Sequence, residues 1–536
     1  MTTDTQEHER LRGAAHRPAE CDEELWRITV GDVLRQSAAR FPDRAAVLWP
    51  DGPRLGRMTW AELLDAAERA AASFLTNVPP GQPIAVWGAN SADWIVAEYG
   101  AVLAGTPLVP VNTALTDAEV AYQLRQSGSR LVLAASEHRG SPLLRRAVAL
   151  TASLPHPCPV LEIDAWRKAP PPAPGRLPEV DPDSPFLIQY TSGTTGTPKG
   201  AVLSHLACVN SGRFGMARLG GAGRHEVLCT PLPLHHVGAS VCGALAVASV
   251  SGTLVLAPSF TAREVLRLVE QSRATVLGLV PTMMTDILAC PDLRVRDLTS
   301  LRVVEGGGTA VAPELVRRFE GALGAKLNIA YGQSESPYAV STRPDDPDEH
   351  KAETLGRPSP HREVRVVRPG TGETADLGEH GELCIRSPLN MSGYHGMADA
   401  TARAIDARGW LRTGDICSMD AQGVLRFHGR TREVIIRGGE NIYPREVEEV
   451  LLGHPAVTDV AVIGTPDDRL GETVAAVVRL RPGLDAGPQE LETFAREHLA
   501  AFKIPRRWHF ADEFPLTASG KVRKHVLRES LLAEQG

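Results

Sequence analysis

The run Tyr190–Thr191–Ser192–Gly193–Thr194–Thr195–Gly196–Thr197–Pro198–Lys199–Gly200 contains the residue types that hold a phosphate. A phosphate is dense in acceptor oxygens, so several donors must reach it at once. Gly193, Gly196 and Gly200 let the backbone turn tightly and present its N–H groups. Neighbouring hydroxyls add donors, and Lys199 adds a point charge. The pattern is not a Walker A loop, because no glycine immediately precedes the lysine and Gly200 stands where that loop needs a hydroxyl for Mg²⁺. A flexible Ser/Thr/Gly linker shares this composition. Linkers do not usually sit tight between strand-like runs, whereas here Phe186–Leu187–Ile188–Gln189 precedes and Ala201–Val202–Leu203 follows.

Other chemically capable residues are spread along the chain. His235 and His236 adjoin Val237 and Gly238, and a glycine run leads from Gly306 through Gly308 to Thr309 and Ala310. Glu335 closes Tyr331–Gly332–Gln333–Ser334–Glu335, Asp415 ends Trp410–Leu411–Arg412–Thr413–Gly414–Asp415, and Arg430 follows Gly429. Lys521 follows Gly520. Taken singly, each has an ordinary reading as packing, a tight turn or a solvated charge.

Taken together and in order, these segments resemble the adenylate-forming superfamily, which includes acyl-CoA synthetases, adenylation domains of peptide synthetases and luciferases. The resemblance runs from about Val30 to Leu527. It implies ATP, Mg²⁺ and CoA as ligands, and two half-reactions. A carboxylic acid is first adenylated with release of pyrophosphate; thiol attack then gives a thioester and AMP. Thr191, Ser192, Gly193, Thr194, Thr195, Gly196 and Lys199 would hold the phosphates. His236 would part the nucleotide from an acyl pocket lined by His236, Val237, Gly238, Met283, Gly306 and Gly307. Gly308, Thr309 and Ala310 would lie on adenine, with Tyr331, Gly332 and Gln333 nearby and Ser334 on phosphate. Glu335 would hold the metal, a hard cation that needs oxygen ligands. Asp415 and Arg430 would contact ribose. The catalytic set is then Lys521, Glu335, Thr191 and His236. Attack on the α-phosphate brings two anions together, and the Lys521 ammonium would lower that barrier. Arg437, Gly438 and Gly439 would flank a tunnel for the pantetheine arm once the small domain rotates about a hinge at Arg432. The family usually has Asp or Lys at that hinge.

Positioning these residues requires a layered scaffold. Helix-like Leu63 to Leu75 precedes strand-like Ile84–Ala85–Val86–Trp87, and helix-like Ala92 to Leu103 precedes Leu108–Val109–Pro110–Val111. Such alternation predicts an α/β fold with largely parallel, buried strands. Pro-rich 168–185 and acidic 342–351 read as loops. After Arg430 the pattern restarts as a compact α+β unit, with a helix from Pro444 to Leu452. We therefore expect a large multi-subdomain N-terminal domain over 1–430 and a small mobile C-terminal α+β domain over 431–536.

At 536 residues the chain exceeds what one core supports. A net charge of −7 argues against nucleic acid as the main partner. Eight scattered cysteines form no CxxC pair, and the N-terminus lacks an apolar signal segment, which together suggest a cytoplasmic protein. The uncharged run 239–258 is long enough for a membrane span, but Gly252 splits it, so it reads as a buried helix and strand. No carboxylate lies beside the His235–His236 pair to receive a substrate ammonium, which disfavours α-amino acids. The other expected pocket positions are apolar or small, pointing to an uncharged, bulky or cyclic acid. CoA and a separate carrier protein both remain open as acceptors, as does a degenerate sensor that binds without catalysis. The oligomeric state stays open too, a homodimer included.

Overall fold

The computed structural model describes residues 13–168, 177–191, 198–307, 311, 313–437, 440–467, 469–516 and 522–533. Contacts divide the chain into a larger unit, Arg17–Val364 with Ile385–Leu411, and a smaller one, Met1–His16 with Arg365–Cys384 and Arg412–Gly536.

The larger unit is built on two sheets. One has seven strands in the order Gly393–Tyr394, Lys199–Ser204, Pro185–Thr191, Leu108–Val111, Ile84–Trp87, Leu131–Ala134, Val160–Glu162. Its strands Leu108–Val111, Ile84–Trp87 and Leu131–Ala134 are parallel and buried on both faces, as their unbroken apolar runs require. The second sheet has nine strands, with a parallel centre from Lys326–Gln333 through Val303–Gly307, Val276–Gly278 and Val227–Thr230 to Thr253–Leu256. Helices cover these strands. The expected helix at Leu63–Leu75 begins earlier, at Trp60, because Thr59 and Glu62 form a capping box. The helix Ala92–Leu103 is buried along its whole length.

The smaller unit holds most of a five-stranded sheet whose last two strands are Leu411–Met419 and Leu425–Arg430. It also holds a mixed sheet in which Gly471–Leu480 pairs antiparallel with Val457–Asp467 and parallel with Arg507–Phe510. The residues 365–384 and 412–430 group with the C-terminal part rather than with the larger unit. Aromatic contacts explain this: His380 stacks on His428 at 3.8 Å, Tyr443 meets His380 edge-on at 5.1 Å, and Arg445 covers Phe427 at 5.1 Å. Residues 435–531 nevertheless have apolar clusters of their own, one around Val447, Val462 and Leu491 and another around Ile463, Val477 and Leu527.

The expected loop over 342–351 is partly overturned. Asp348–Glu353 is a short helix, and Lys351 is buried with its Nζ 2.6 Å from Glu320 Oε1. A paired charge can enter a core where an unpaired one cannot. The uncharged run 239–258 does fold as a helical segment followed by the strand Thr253–Leu256. Among the described residues no helix is long and apolar enough to cross a membrane. All eight cysteines are free thiols.

Glu98 lies inside the buried helix at 1% exposure, and among the described residues neither carboxyl oxygen has a hydrogen-bond partner. Burial pushes its pKa from 4.5 up to about 8. The folded state therefore holds a proton that the unfolded state has lost between those values. Stability falls as pH rises through that window, by at most about 1.4 kcal/mol per pH unit. We expect the melting-temperature advantage of Glu98→Gln over the parent to widen from pH 5 to pH 8. A constant difference between the two melting curves would contradict this.

Candidate active site

In the larger unit, strands Pro185–Thr191 and Lys199–Ser204 form an antiparallel hairpin in which Thr191 pairs with Lys199. Ser192, Gly193, Thr194, Thr195 and Gly196 lie outside the described residues. The described ends of the two strands are well held. Thr191 Oγ1 donates to Lys199 O at 3.4 Å, and Tyr122 donates to Pro198 O at 3.1 Å. The Tyr190 hydroxyl donates to Gln126 Oε1. Lys199 is partly exposed.

A second hairpin carries Glu335. Tyr331, Gly332 and Gln333 end the strand Lys326–Gln333, which turns back through Ser334 and Glu335 into Ser336–Ser341. The turn is braced from behind by the fully buried Arg362, which donates to Ser336 Oγ at 2.7 Å and to Ser211 Oγ at 3.0 Å. Burial lowers the Arg362 pKa to about 9, and hydroxyl and carbonyl oxygens rather than a carboxylate accept from its two terminal nitrogens.

Tyr394 joins the two hairpins. Its strand Gly393–Tyr394 pairs with Val202 and Ala201 of the first hairpin. Its hydroxyl donates to Glu335 Oε1 at 2.8 Å, and Lys199 Nζ lies 4.7 Å from its ring centroid. Burial and the neighbouring Glu335 push the phenol pKa up, so it stays a proton donor. Met391 N–H donates to the Glu335 carbonyl at 2.8 Å, fixing the turn from the same segment. A cation and a hydrogen-bonded carboxylate thus meet at one phenol.

His236 is exposed and begins a helical segment, its Nδ1 accepting from Gly238 N–H at 3.1 Å. In the neutral ring the proton is then on Nε2, directed away from the helix. His235 is the inward neighbour, and burial with His236 nearby lowers its pKa to about 3. Val237 is 4% exposed and packs in the core. Gly306 and Gly307 end the strand Val303–Gly307. A Cβ on Gly307 would fall 2.3 Å from Ala330 O, and one on Gly306 would fall 2.6 Å from Met284 Cε. Met284 is thus the methionine against Gly306, and Met283 packs partly buried on the same apolar cluster. Gly308, Thr309 and Ala310 lie outside the described residues.

In the smaller unit, Asp415 and Arg430 are paired across adjacent strands, with Arg430 Nε 3.3 Å from Asp415 Oδ1. Asp415 is buried, and Thr413 Oγ1 accepts from its backbone N–H at 3.1 Å. Arg432 is exposed on the turn Thr431–Glu433 that leads out of this sheet. Arg437 pairs with Glu440 in a hairpin and donates to Phe502 O at 3.2 Å. Gly438, Gly439 and Lys521 lie outside the described residues.

Two family models match this chain: AMP-binding enzyme over residues 34–395, and AMP-binding enzyme C-terminal domain over residues 446–521. The chain belongs to the AMP-binding enzyme family. It is an adenylate-forming enzyme of the acyl-CoA ligase type. Its sequence is 36% identical to YngI of Bacillus subtilis (strain 168) over 541 residues, covering 95% of this chain and 98% of that one. It is 35% identical to the mitochondrial medium-chain acyl-CoA ligase ACSF2 of Rattus norvegicus, covering 97% of this chain and 90% of that one. ATP-bound MatB from Rhodopseudomonas palustris superposes with a TM-score of 0.85 at 27% identity, covering 94% of this chain and 99% of that one.

For this AMP-binding enzyme the sequence reading passed over Tyr394 and the Arg362 brace. Tyr394 lies 59 positions from its Glu335 partner and follows only a short strand, so no local pattern marks it. Arg362 stands among other charged residues, Glu363 and Arg365 of the following strand, so nothing in the sequence singles it out.

Proposed function

We propose that this enzyme activates an uncharged, bulky or cyclic carboxylic acid as its acyl-adenylate and passes the acyl group to CoA. ATP-dependent, AMP-forming ligation of an acid to CoA is the activity of its family type. The observation that carries the reading is the Lys199–Tyr394–Glu335 arrangement at the base of the phosphate hairpin. Lys199 supplies positive charge beside the loop, and Tyr394 orients the Glu335 carboxylate. Among the described residues only Tyr394 donates to that carboxylate, which leaves lone pairs for a hard cation. No group of three or more metal-ligating side chains occurs among the described residues. That fits Mg²⁺, which takes one or two carboxylates and completes its shell with water and phosphate. When bound, Mg²⁺ would offset phosphate charge at Glu335.

The remaining assignments rest on the family resemblance. Asp415 and Arg430 take the ribose, Lys521 acts at the α-phosphate, and Arg437 with Gly438 and Gly439 lines the pantetheine path. The division near residue 431 with a hinge at Arg432 is supported by the separate apolar clusters of residues 435–531. A cytoplasmic location agrees with eight free thiols.

Pyrophosphate release from Mg·ATP across fatty, aromatic and polycyclic acids, with and without CoA, tests the reading. We expect release with some bulky acid, followed by CoA-dependent AMP and thioester. Turnover of short straight-chain acids alone would overturn the acid class. Release without thioester would move the acceptor to a carrier protein.

A further inference from the structure

Glu305 stands immediately before Gly306 and Gly307 on the strand Val303–Gly307. Successive strand residues face opposite sides. Val303 belongs to the apolar cluster that also holds Val241, Ala244 and Leu245, whereas Val304 belongs to the one that holds Leu277 and Met284. Glu305 therefore shares the Val303 face, under the helical segment that His236 begins. The neighbouring parallel strand repeats this alternation, with Val276 on the first cluster and Leu277 on the second. Gly278 thus sits on the same face, in register with Glu305. On the other side Glu305 is level with Asn328, whose amide is already engaged by Tyr338 and Thr342.

The helical segment is irregular here: Ser240–Leu245 winds as a π-helix, which moves Cys242 relative to Gly238. Gly238 and Cys242 both keep partial exposure between buried Val237, Ala239, Val241 and Gly243. Opposite them, Glu305 and Gly307 keep partial exposure between buried Val304 and Gly306. The Glu305 carboxyl acts electrostatically on the Cys242 thiol and the Tyr338 phenol. Two rows of partly accessible residues therefore face an internal space that runs inward from His236 and Gly307. Glu305 lies about 7 Å deeper than Gly307, at a rise of roughly 3.3 Å per strand residue.

We propose that Glu305 is a specificity-determining side chain at the inner end of the acyl pocket, selecting acids with a hydrogen-bond donor remote from their carboxylate. This rests on the ligase reading above. Among the described residues nothing hydrogen-bonds the Glu305 carboxyl, which keeps partial exposure and so has acceptor and donor capacity to offer a ligand. A substrate hydroxyl, amide or amine at that depth would supply the partner. Burial pushes the Glu305 pKa from 4.5 up to about 8, so a neutral hydroxyl meets a neutral acid, while an amine would take its proton. The acid remains one without an α-ammonium, and its far end is polar rather than wholly apolar.

Matched acids test this. Pyrophosphate release would be measured with 3-phenylpropanoate and its para-hydroxy and para-amino forms, and with octanoate and 8-hydroxyoctanoate. The parent enzyme should prefer a donor-bearing member by roughly tenfold or more in kcat/KM. Glu305→Met should abolish or reverse that preference, with Glu305→Gln retaining part of it. The para-hydroxy and para-amino arms separate hydroxyl from amine recognition. An unchanged preference in Glu305→Met overturns the proposal while leaving the ligase reading intact. No pyrophosphate from any acid with the parent enzyme overturns both.

Discussion

Lys521→Ala is expected to lower acyl-adenylate formation by about 10³–10⁵-fold, the range a single well-placed cation supplies in phosphoryl transfer. The attacking carboxylate and the α-phosphate repel each other, and the transition state gathers charge on the non-bridging oxygens. An ammonium that meets those oxygens only then adds little to ground-state ATP binding. The affinity for ATP should therefore survive, and the loss should appear in kcat. Two half-reactions give a sharper check. Supplied with preformed acyl-adenylate and CoA, Lys521→Ala should still make thioester, because no charge needs to be brought to a phosphate in that step. Pyrophosphate exchange at the parental rate would remove Lys521 from the role.

Glu335→Ala should be the second most damaging change, lowering adenylation on the order of 10²–10³-fold, as loss of one preorganised electrostatic group does. Its signature should be a higher Mg²⁺ requirement, measured as pyrophosphate release against Mg²⁺ concentration. Tyr394→Phe separates the two functions at this turn. It removes the hydroxyl that donates to Glu335 Oε1 at 2.8 Å but keeps the ring beside Lys199. We expect a loss smaller than that of Glu335→Ala, near the net worth of one charge-assisted hydrogen bond, about 1.5–3 kcal/mol. An unaltered Mg²⁺ dependence in Glu335→Ala would exclude a metal-holding role.

Much of the scaffold was legible because local and global preferences agree. The helix Ala92–Leu103 and the strand Leu108–Val111 fall where periodicity places them. The hairpin of Pro185–Thr191 and Lys199–Ser204 was legible because two apolar strand-like runs flank a short stretch of glycines and hydroxyls. What escaped depends on distance along the chain. The bond from Tyr394 to Glu335 and the pairing of Lys351 with Glu320 join elements that no local window contains. Glu305 escaped for a different reason. It precedes a glycine run that drew the attention, although a carboxyl on a strand after Val303 and Val304 was itself a signal. The affinity of 365–384 and 412–430 for the C-terminal residues was hidden because stacked His380 and His428 carry no pattern in sequence.

Among the described residues, the apolar clusters of 435–531 draw no member from earlier in the chain. A stretch with a private core is a heritable part. A crossover between genes just before it leaves the members of those two clusters together on one side of the junction. Lineages can therefore trade the lysine-bearing piece while keeping their acid pocket, or diversify the pocket while the piece stays old, and the two halves of one protein can have different ancestries.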